Sequence, residues 1–443
     1  MAGESRLTTA AAFVLDAVRG RLPEGRFVVA LSGGADSAVA AWVIAEIAGA
    51  DEVRGVHVHH GLDASADLAA AAARVAKTLG IAFTRVDVAV PEGASFEGQA
   101  REIRLSALAG AARPDEWLVT GHHSDDSVET VFINLLRGAG ATGLSGIPQV
   151  RGRWIRPLLD LERSRIRAAA DELQLPYLDD PSNADPRHRR NVIRSDVLPW
   201  LEERLGIPVH AVIRRSADSL AADDTELTTA AEVVPIGSSA GAVTVPAVVL
   251  ATLPDAVAAR VVRRALRRVH PPYPGNAADI AAVLRVAGGS TPRESLSGGF
   301  QAVLEGALVA VYDTEPAPAR PQALVPGTTV EFGFWRVTAS AVSAVRSPAL
   351  GRFRTRARAS VLTGETTVRG AAAGERIDLR SGSKLVRDAM REAGVPVRLR
   401  SAWPIVAVGG KIAWVAGARV AGWARLESAG EPAIELSMEG TGV

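Results

Sequence analysis

An unbroken apolar run, Phe27-Val28-Val29-Ala30-Leu31, ends abruptly at Ser32-Gly33-Gly34, the pattern of a short strand buried on both faces. A second apolar stretch, Ala38–Ala45, has the length and composition of a buried helix. The same alternation continues. Val53–Val58 predicts a strand ending at His59-His60-Gly61, and Ala64–Leu79 a helix closed by Gly80. Phe83–Val88 predicts a third strand, Ser95–Ala112 a helix, and Trp117–Thr120 a fourth strand that stops at Gly121. Alternating strands and helices over the first ~200 residues predict an α/β fold with a doubly wound parallel sheet. From Gly206 the pattern turns helical, with Arg260, Arg263, Arg264, Arg267 and Arg268 on one predicted helix. Glu315–Pro321 reads as a linker. The final ~100 residues mix short strands with one amphipathic helix, Lys384–Ala393, ended by Gly394 and Pro396. The expected division is therefore a sheet domain over 1–205, a helical domain over 206–347 and a small mixed α+β domain over 348–443.

Composition narrows the class. A chain of 443 residues with 47% hydrophobic content and no long apolar run is expected to be globular and free of membrane spans. Thr8–Leu15 is short and lacks the basic flank and cleavage pattern of a secretory signal. The chain has no cysteine, which removes thiolate metal sites, persulfide chemistry and iron–sulfur clusters, and the expected location is the cytoplasm. Net charge is only +1, yet just three of the 50 basic residues are lysines. Arginine's planar, multi-donor head suits phosphate and base edges; genome composition accounts for the bias equally well.

Candidate chemistry begins at Ser32-Gly33-Gly34-Ala35-Asp36-Ser37, where the first strand runs into its helix. Glycines let backbone approach a ligand, and serine hydroxyls with helix-start N–H groups can wrap an anion. The spacing is neither that of a Walker A loop nor GxGxxG. Gly121-His122-His123-Ser124-Asp125-Asp126-Ser127-Val128-Glu129-Thr130 follows the fourth strand. Asp126 and Glu129, at i and i+3, share a helix face, and paired carboxylates there can bind an ammonium group, hold Mg²⁺ or manage protons. Taken alone, the segment is also a well-capped helix with Ser124 as N-cap. Both segments lie at predicted carboxyl ends of strands, where such sheets bind ligands. The histidines near them show no zinc-ligand spacing.

Taken in order, several segments carry a more specific likeness. They are Ser32–Ser37, His57-Val58-His59-His60-Gly61-Leu62, Arg101 with Arg104, Gly121–Thr130, Leu136–Gly140 with Gly143-Leu144, Arg156-Pro157-Leu158-Leu159, and Asp180–Asp185 through Arg190–Arg194. The chain resembles the bacterial tRNA(Ile)-lysidine synthases of the PP-loop ATP pyrophosphatase superfamily over nearly all of its first 200 residues. The likeness extends more loosely over Gly374–Gly417. Two positions depart from the family pattern: Asp63 stands where a basic residue is usual, and the helix with Lys384, Arg387 and Arg391 is less densely basic.

The resemblance implies a PP-loop, adenine-nucleotide-alpha-hydrolase-like fold and an ATP-dependent ligase that joins lysine to C2 of the wobble cytidine in the CAU-anticodon isoleucine tRNA. The cytidine oxygen attacks the α-phosphate, pyrophosphate leaves, and the lysine ε-amine then displaces AMP; codon reading changes from AUG to AUA. It implies ATP on Ser32, Gly33, Gly34, Asp36 and Ser37, with His57 and Gly121 at the nucleotide. Asp126 and Glu129 would hold the lysine ammonium and help it lose a proton. Asp36 is the candidate Mg²⁺ ligand. Arg101, Arg104, Arg187, Arg189, Arg190 and Arg194 would meet tRNA, with Arg190 and Arg194 also placed in the catalytic set. The central and C-terminal domains would bind tRNA. Oligomeric state is left open, a homodimer included. A PP-loop thiolase would need cysteines, and glutamine-dependent amidation a catalytic cysteine; neither exists here. The remaining alternative is a non-catalytic, ATP-responsive RNA-binding protein of the same fold.

Overall fold

The computed structural model describes residues 9–59, 65–89, 96–180, 185, 187–271, 273, 275–342, 349–359, 364–428 and 430–441. The chain divides into two compact units, 1–225 and 226–443.

In the first unit, α1 (Ala10–Val18) precedes β1 (Arg26–Ala30), α2 (Ala35–Ala48), β2 (Val53–His59), α3 (Ser65–Leu79), β3 (Ala82–Asp87), α4 (Phe96–Ala111) and β4 (Glu116–Val119). Then come α5 (Ser124–Leu136), α6 (Ala141–Leu144), β5 (Val150–Arg151), β6 (Trp154–Ile155), α7 (Arg163–Glu172) and α8 (Arg189–Val192). A π-helical turn, Ile193–Val197, leads into α9 (Leu198–Leu205), and α10 (Val209–Glu232) carries the chain onward. The sheet order is β3-β2-β1-β4-β6-β5. β1 pairs in parallel with β2 on one side (Val29 opposite Gly55) and with β4 on the other (Val29 opposite Val119). Strand order reverses between β1 and β4, so a crevice opens at their carboxyl ends.

The core explains why α2 is apolar on every side. Ala38, Val39, Ala40, Ala41, Val43 and Ile44 are all fully buried. They pack with Val29 of β1, Val75 of α3, and Ile166 and Ala169 of α7. A helix enclosed all round has no polar face to display. Each such Val or Ile contributes about 1.5–3 kcal/mol through burial, so the helix that carries the Ser32–Ser37 loop is firmly seated.

The second unit contains more strand than its sequence suggested. Besides α11 (Ala247–Thr252), α12 (Asp255–Val269) and α13 (Ala277–Ala287), its first part holds β7 (Gly237–Ser239), β8 (Ala242–Pro246), β9 (Arg293–Ser295), β10 (Gln301–Glu305) and β11 (Leu308–Tyr312). These form a sheet of order β7-β8-β11-β10-β9 whose pairs are antiparallel. The predicted arginine helix is α12. Arg264 donates to the Val234 carbonyl at 3.3 Å and to that of Ala231, and Arg268 donates to the Ile236 carbonyl at 2.7 Å. Arg264 therefore ties α12 to the last turn of α10 and the segment after it, and Arg268 ties it to that segment.

The last part holds β12 (Gln322–Ala323), β13 (Thr329–Phe332), β14 (Trp335–Val342), β15 (Ala349–Gly351), β16 (Arg354–Arg358), β17 (Thr366–Arg369), β18 (Arg376–Leu379) and β19 (Gly382–Leu385). It continues with α14 (Val386–Glu392), β20 (Ile405–Val408), β21 (Lys411–Val415), β22 (Arg419–Val420) and β23 (Ala433–Gly440). β14 pairs with β23 along its whole length, from Trp335–Gly440 to Val342–Ala433. These pairings join β13 and β14 to the strands after 348, whereas the expected division at 347/348 lies outside the described residues. Lys384 belongs to β19 rather than to the predicted helix, which starts at Val386.

Candidate active site

The Ser32–Ser37 loop bridges the carboxyl end of β1 and the first turn of α2. Its conformation is fixed from within. Ser32 N–H donates to Ser37 Oγ at 3.1 Å, the two serine hydroxyls meet at 3.0 Å, and Ser37 Oγ donates to the Gly34 carbonyl at 2.9 Å. Gly34 is the N-cap of α2 and supplies no side-chain cap. No side chain caps this helix start, the arrangement that receives an anion. Gly33 has φ +96°, and a Cβ there would lie 2.4 Å from the Leu68 carbonyl oxygen. A Cβ on Gly121, just after β4, would lie 2.7 Å from Asp36 backbone atoms. Gly121 thus lets the end of β4 touch the start of α2. His57 is buried, with Nδ1 2.8 Å from the Leu31 carbonyl, and so steadies the entry to the loop.

α5 begins beside this loop. Its N-cap is His123 rather than the expected Ser124, which is the first helical residue. The His123 N–H donates to Asp126 Oδ2 at 3.0 Å. Its ring is buried: Nε2 lies 3.7 Å from Asp36 Oδ2 and 3.5 Å from Asp126 Oδ2, and Nδ1 lies 3.3 Å from Asp125 Oδ2. Burial opposes charge on this imidazole, but Asp125, Asp126 and Asp36 more than offset it and raise its pKa. Burial raises the Asp36 pKa, and Asp126 adds to the rise. Asp126 is also desolvated, yet His123 and Arg190 outweigh that and hold it below the usual carboxylate range.

Glu129 is 1% exposed and sits between two arginines. Arg190 donates through Nε to Glu129 Oε2 at 2.5 Å, and through Nη2 to the Asp126 carbonyl at 3.0 Å and to Asp126 Oδ1 at 3.2 Å. Arg194 donates through Nε to Glu129 Oε1, through Nη2 to Glu129 Oε2 at 3.1 Å, and reaches Asp126 Oδ1 at 3.4 Å. Arg190 lies within the short α8 and Arg194 in the π-helical turn behind it. Ile193 and Leu198 pack with Val128 and Phe132 of α5, so this segment is held against the carboxylates by its own small core. π turns concentrate at functional sites.

The structure therefore brings together Ser32, Gly33, Gly34, Asp36, Ser37, His57, Gly121, Asp126, Glu129, Arg190 and Arg194. Sequence spacing did not mark His123 and Asp125 for this cluster, although both stand inside the Gly121–Thr130 segment. Arg104 lies exposed on α4; Arg101 is on the same helix, with its side chain outside the described residues. Arg187 is exposed and paired with Asp185 at 2.7 Å, and Arg189 is exposed. His60, Gly61, Asp63 and Ser182–Ala184 of the matching segments lie outside the described residues. No helix among the described residues is long and apolar enough to cross a membrane.

Residues 7–201 match the PP-loop domain family, and residues 366–436 match the TilS substrate C-terminal domain. A tRNA(Ile)-lysidine synthase of Ralstonia nicotianae is 34% identical over 93% of this chain and 92% of its own length. Those of Pseudomonas fluorescens and Alkalilimnicola ehrlichii are 40% and 42% identical over 43% and 41% of this chain, and 45% and 43% of theirs. With these last two, the matched part spans under half of the relative. The near full-length match settles the assignment: the chain belongs to the tRNA(Ile)-lysidine synthase family.

Proposed function

We propose that this protein ligates lysine to C2 of the wobble cytidine in a CAU-anticodon isoleucine tRNA, at the expense of ATP. The observation that carries the reading is the meeting of an uncapped phosphate loop with a carboxylate pair, Glu129 buried and Asp126 half-buried, at one sheet switch point. The loop supplies backbone donors for the ATP phosphates. The cytidine C2 oxygen attacks the α-phosphorus and pyrophosphate departs, which turns a poor leaving oxygen into an adenylate. The lysine ε-amine then adds at C2 and AMP leaves.

Asp126 and Glu129 are the lysine site of this proposal. Asp126, held below its usual pKa, suits holding an ammonium better than taking its proton. Arg190 and Arg194 balance the two carboxylates, and a guanidinium has five N–H donors, enough to meet a phosphate as well. Arg101, Arg104, Arg187 and Arg189 are the proposed tRNA contacts, together with the second unit. Extrusion of the cytidine from a loop costs less than from a duplex.

Asp36 fits a magnesium ion that arrives with the nucleotide. Its side chain is 36% exposed and offers a hard oxygen, and among the described residues no group of three or more His, Asp or Glu forms a metal cage. Mg²⁺ is commonly held by one or two carboxylates plus substrate phosphates. Bound there, it would offset charge on the phosphates.

Pyrophosphate release with ATP, Mg²⁺, lysine and the CAU isoleucine tRNA tests the reading. Turnover with that tRNA and none with elongator methionine tRNA is the expected result. Equal turnover with both, or none with either, overturns it.

A further inference from the structure

We propose that Asp125 is a positioning residue for the amine-binding carboxylates, acting through the ring of His123; the inference rests on the function proposed above. Asp125 neighbours Asp126 in the first turn of α5 but its carboxylate faces other partners. Oδ2 accepts the backbone N–H of Arg163, at the start of α7, at 2.8 Å and lies 3.3 Å from His123 Nδ1. Oδ1 lies 4.0 Å from His210 Nε2. On the far side of the ring, Nε2 faces Asp126 Oδ2 at 3.5 Å and Asp36 Oδ2 at 3.7 Å. The His123 side chain is only 2% exposed.

The ring thus spans the loop of α2 and the carboxylates of α5. An imidazole can turn about its Cβ–Cγ bond, and the partner on one nitrogen decides what the other presents. Asp125 is the charged neighbour of Nδ1, at ion-pair distance but without hydrogen-bond geometry. It is anchored by a helix-start N–H of α7, a contact independent of any substrate. Asp126 Oδ2 is held by the His123 main-chain N–H and faced by ring Nε2, and Oδ1 is the oxygen left toward Arg190 and Arg194. With the ring loose, Asp36 and Asp126 lose the group between them and repel each other. Asp125 has this effect without touching substrate.

A double-mutant cycle on the full-length protein tests it. Asp125→Asn keeps an oxygen for the Arg163 N–H, so the α7 anchor survives, while the ring loses its charged partner. The kinetic readout is KM for lysine against kcat, with melting temperature followed in parallel. Asp125→Asn is expected to raise KM for lysine about tenfold or more, the usual scale for a partner that orients a functional imidazole. His123→Ala should do the same, and the double variant should be no worse than His123→Ala alone. If His123→Ala does not fold, His123→Gln takes its place. Losses that multiply in the double variant overturn the proposal, as does an Asp125→Asn enzyme with a lower melting temperature and an unchanged lysine KM. If the wild-type protein shows no lysine-dependent turnover, the functional reading falls and the proposal with it. Turnover with an additive cycle removes the proposal alone.

Discussion

Arg190 Nε donates to Glu129 Oε2 at 2.5 Å across 61 positions of sequence, and this contact sets the charge of the candidate lysine site. Two carboxylates, Asp126 and Glu129, face two guanidiniums, Arg190 and Arg194. An arriving ammonium therefore meets a balanced cluster and must share the carboxylate oxygens.

Neutralising one carboxylate tips that balance. Glu129→Gln leaves two guanidiniums against Asp126 and makes the cluster net positive, which disfavours an ammonium. The expected outcome is a KM for lysine raised about tenfold or more, each tenfold being about 1.4 kcal/mol. Formation of the adenylated tRNA, measured without lysine, should change much less. Equal losses in both steps would show that Glu129 serves the whole site rather than the amine.

The glycines of the phosphate side separate structural from ligand-facing roles. A Cβ on Gly121 meets Asp36 backbone at 2.7 Å, so Gly121→Ala must push β4 and α2 apart. Both the melting temperature and ATP affinity should fall. A Cβ on Gly34 meets only Ser32 Oγ at 3.6 Å and the Leu178 carbonyl oxygen at 3.9 Å, ordinary contacts within the protein. Gly34→Ala should melt like wild type yet raise KM for ATP, because the added methyl occupies space the phosphates need. Unchanged ATP kinetics in Gly34→Ala would remove this residue from the nucleotide site.

Much of the first unit was legible because its strands are short apolar runs punctuated by glycine. Phe27–Leu31 and Val53–Val58 were placed within a residue of β1 and β2. The Ser32–Ser37 loop and the Asp126/Glu129 face follow from local spacing alone. The pairing of Glu129 with Arg190 and Arg194 does not, since it depends on how the π turn and α9 pack against Val128 and Phe132. The sheet of the second unit was missed for another reason. Val243–Val245 and Val309–Val311 are runs too short to separate strand from helix by period. The arginine-rich stretch between them forms the strongly amphipathic α12, whose period dominates this part of the chain.

At the opposite end of the parallel sheet, Glu116 supplies a test of stability that leaves the site alone. It is 3% exposed, accepts from Arg54 Nε at 2.8 Å and Nη2 at 2.6 Å, and from the Arg113 N–H at 2.6 Å. The Arg54 hydrogen bonds lower its pKa from 4.5 to about 2. A lowered folded-state pKa stabilises the protein above the unfolded value, and that stability is lost as pH falls from about 4.5 toward 2. The displacement corresponds to on the order of 3 kcal/mol. Glu116→Gln should lower stability at pH 7 in urea titrations and flatten its decline between these pH values, with lysine ligation unchanged. An acid profile identical to wild type would contradict this.

In the second unit, the Arg398 side chain is 1% exposed and its guanidinium meets three acceptors. Nε donates to Glu305 Oε1 at 2.8 Å, Nη1 to the Ala240 carbonyl at 2.7 Å and Nη2 to the Ser239 carbonyl at 2.9 Å. Glu305 ends β10, while Ser239 and Ala240 close β7, so one side chain ties the turn before β20 to the sheet of the first part of the unit. Removing it strands a buried carboxylate and two carbonyls, at a cost of about 3–5 kcal/mol. Arg398→Met is expected to destabilise this unit on that scale. Arg398→Lys should rescue little, because a single ammonium cannot span acceptors arranged for a planar fork. Amide exchange in the full-length protein should accelerate across β10 and residues 397–399 in both variants, while protection of α2 in the first unit stays at the wild-type level. Full rescue by lysine would mean that charge alone, and not the fork, holds the two parts together.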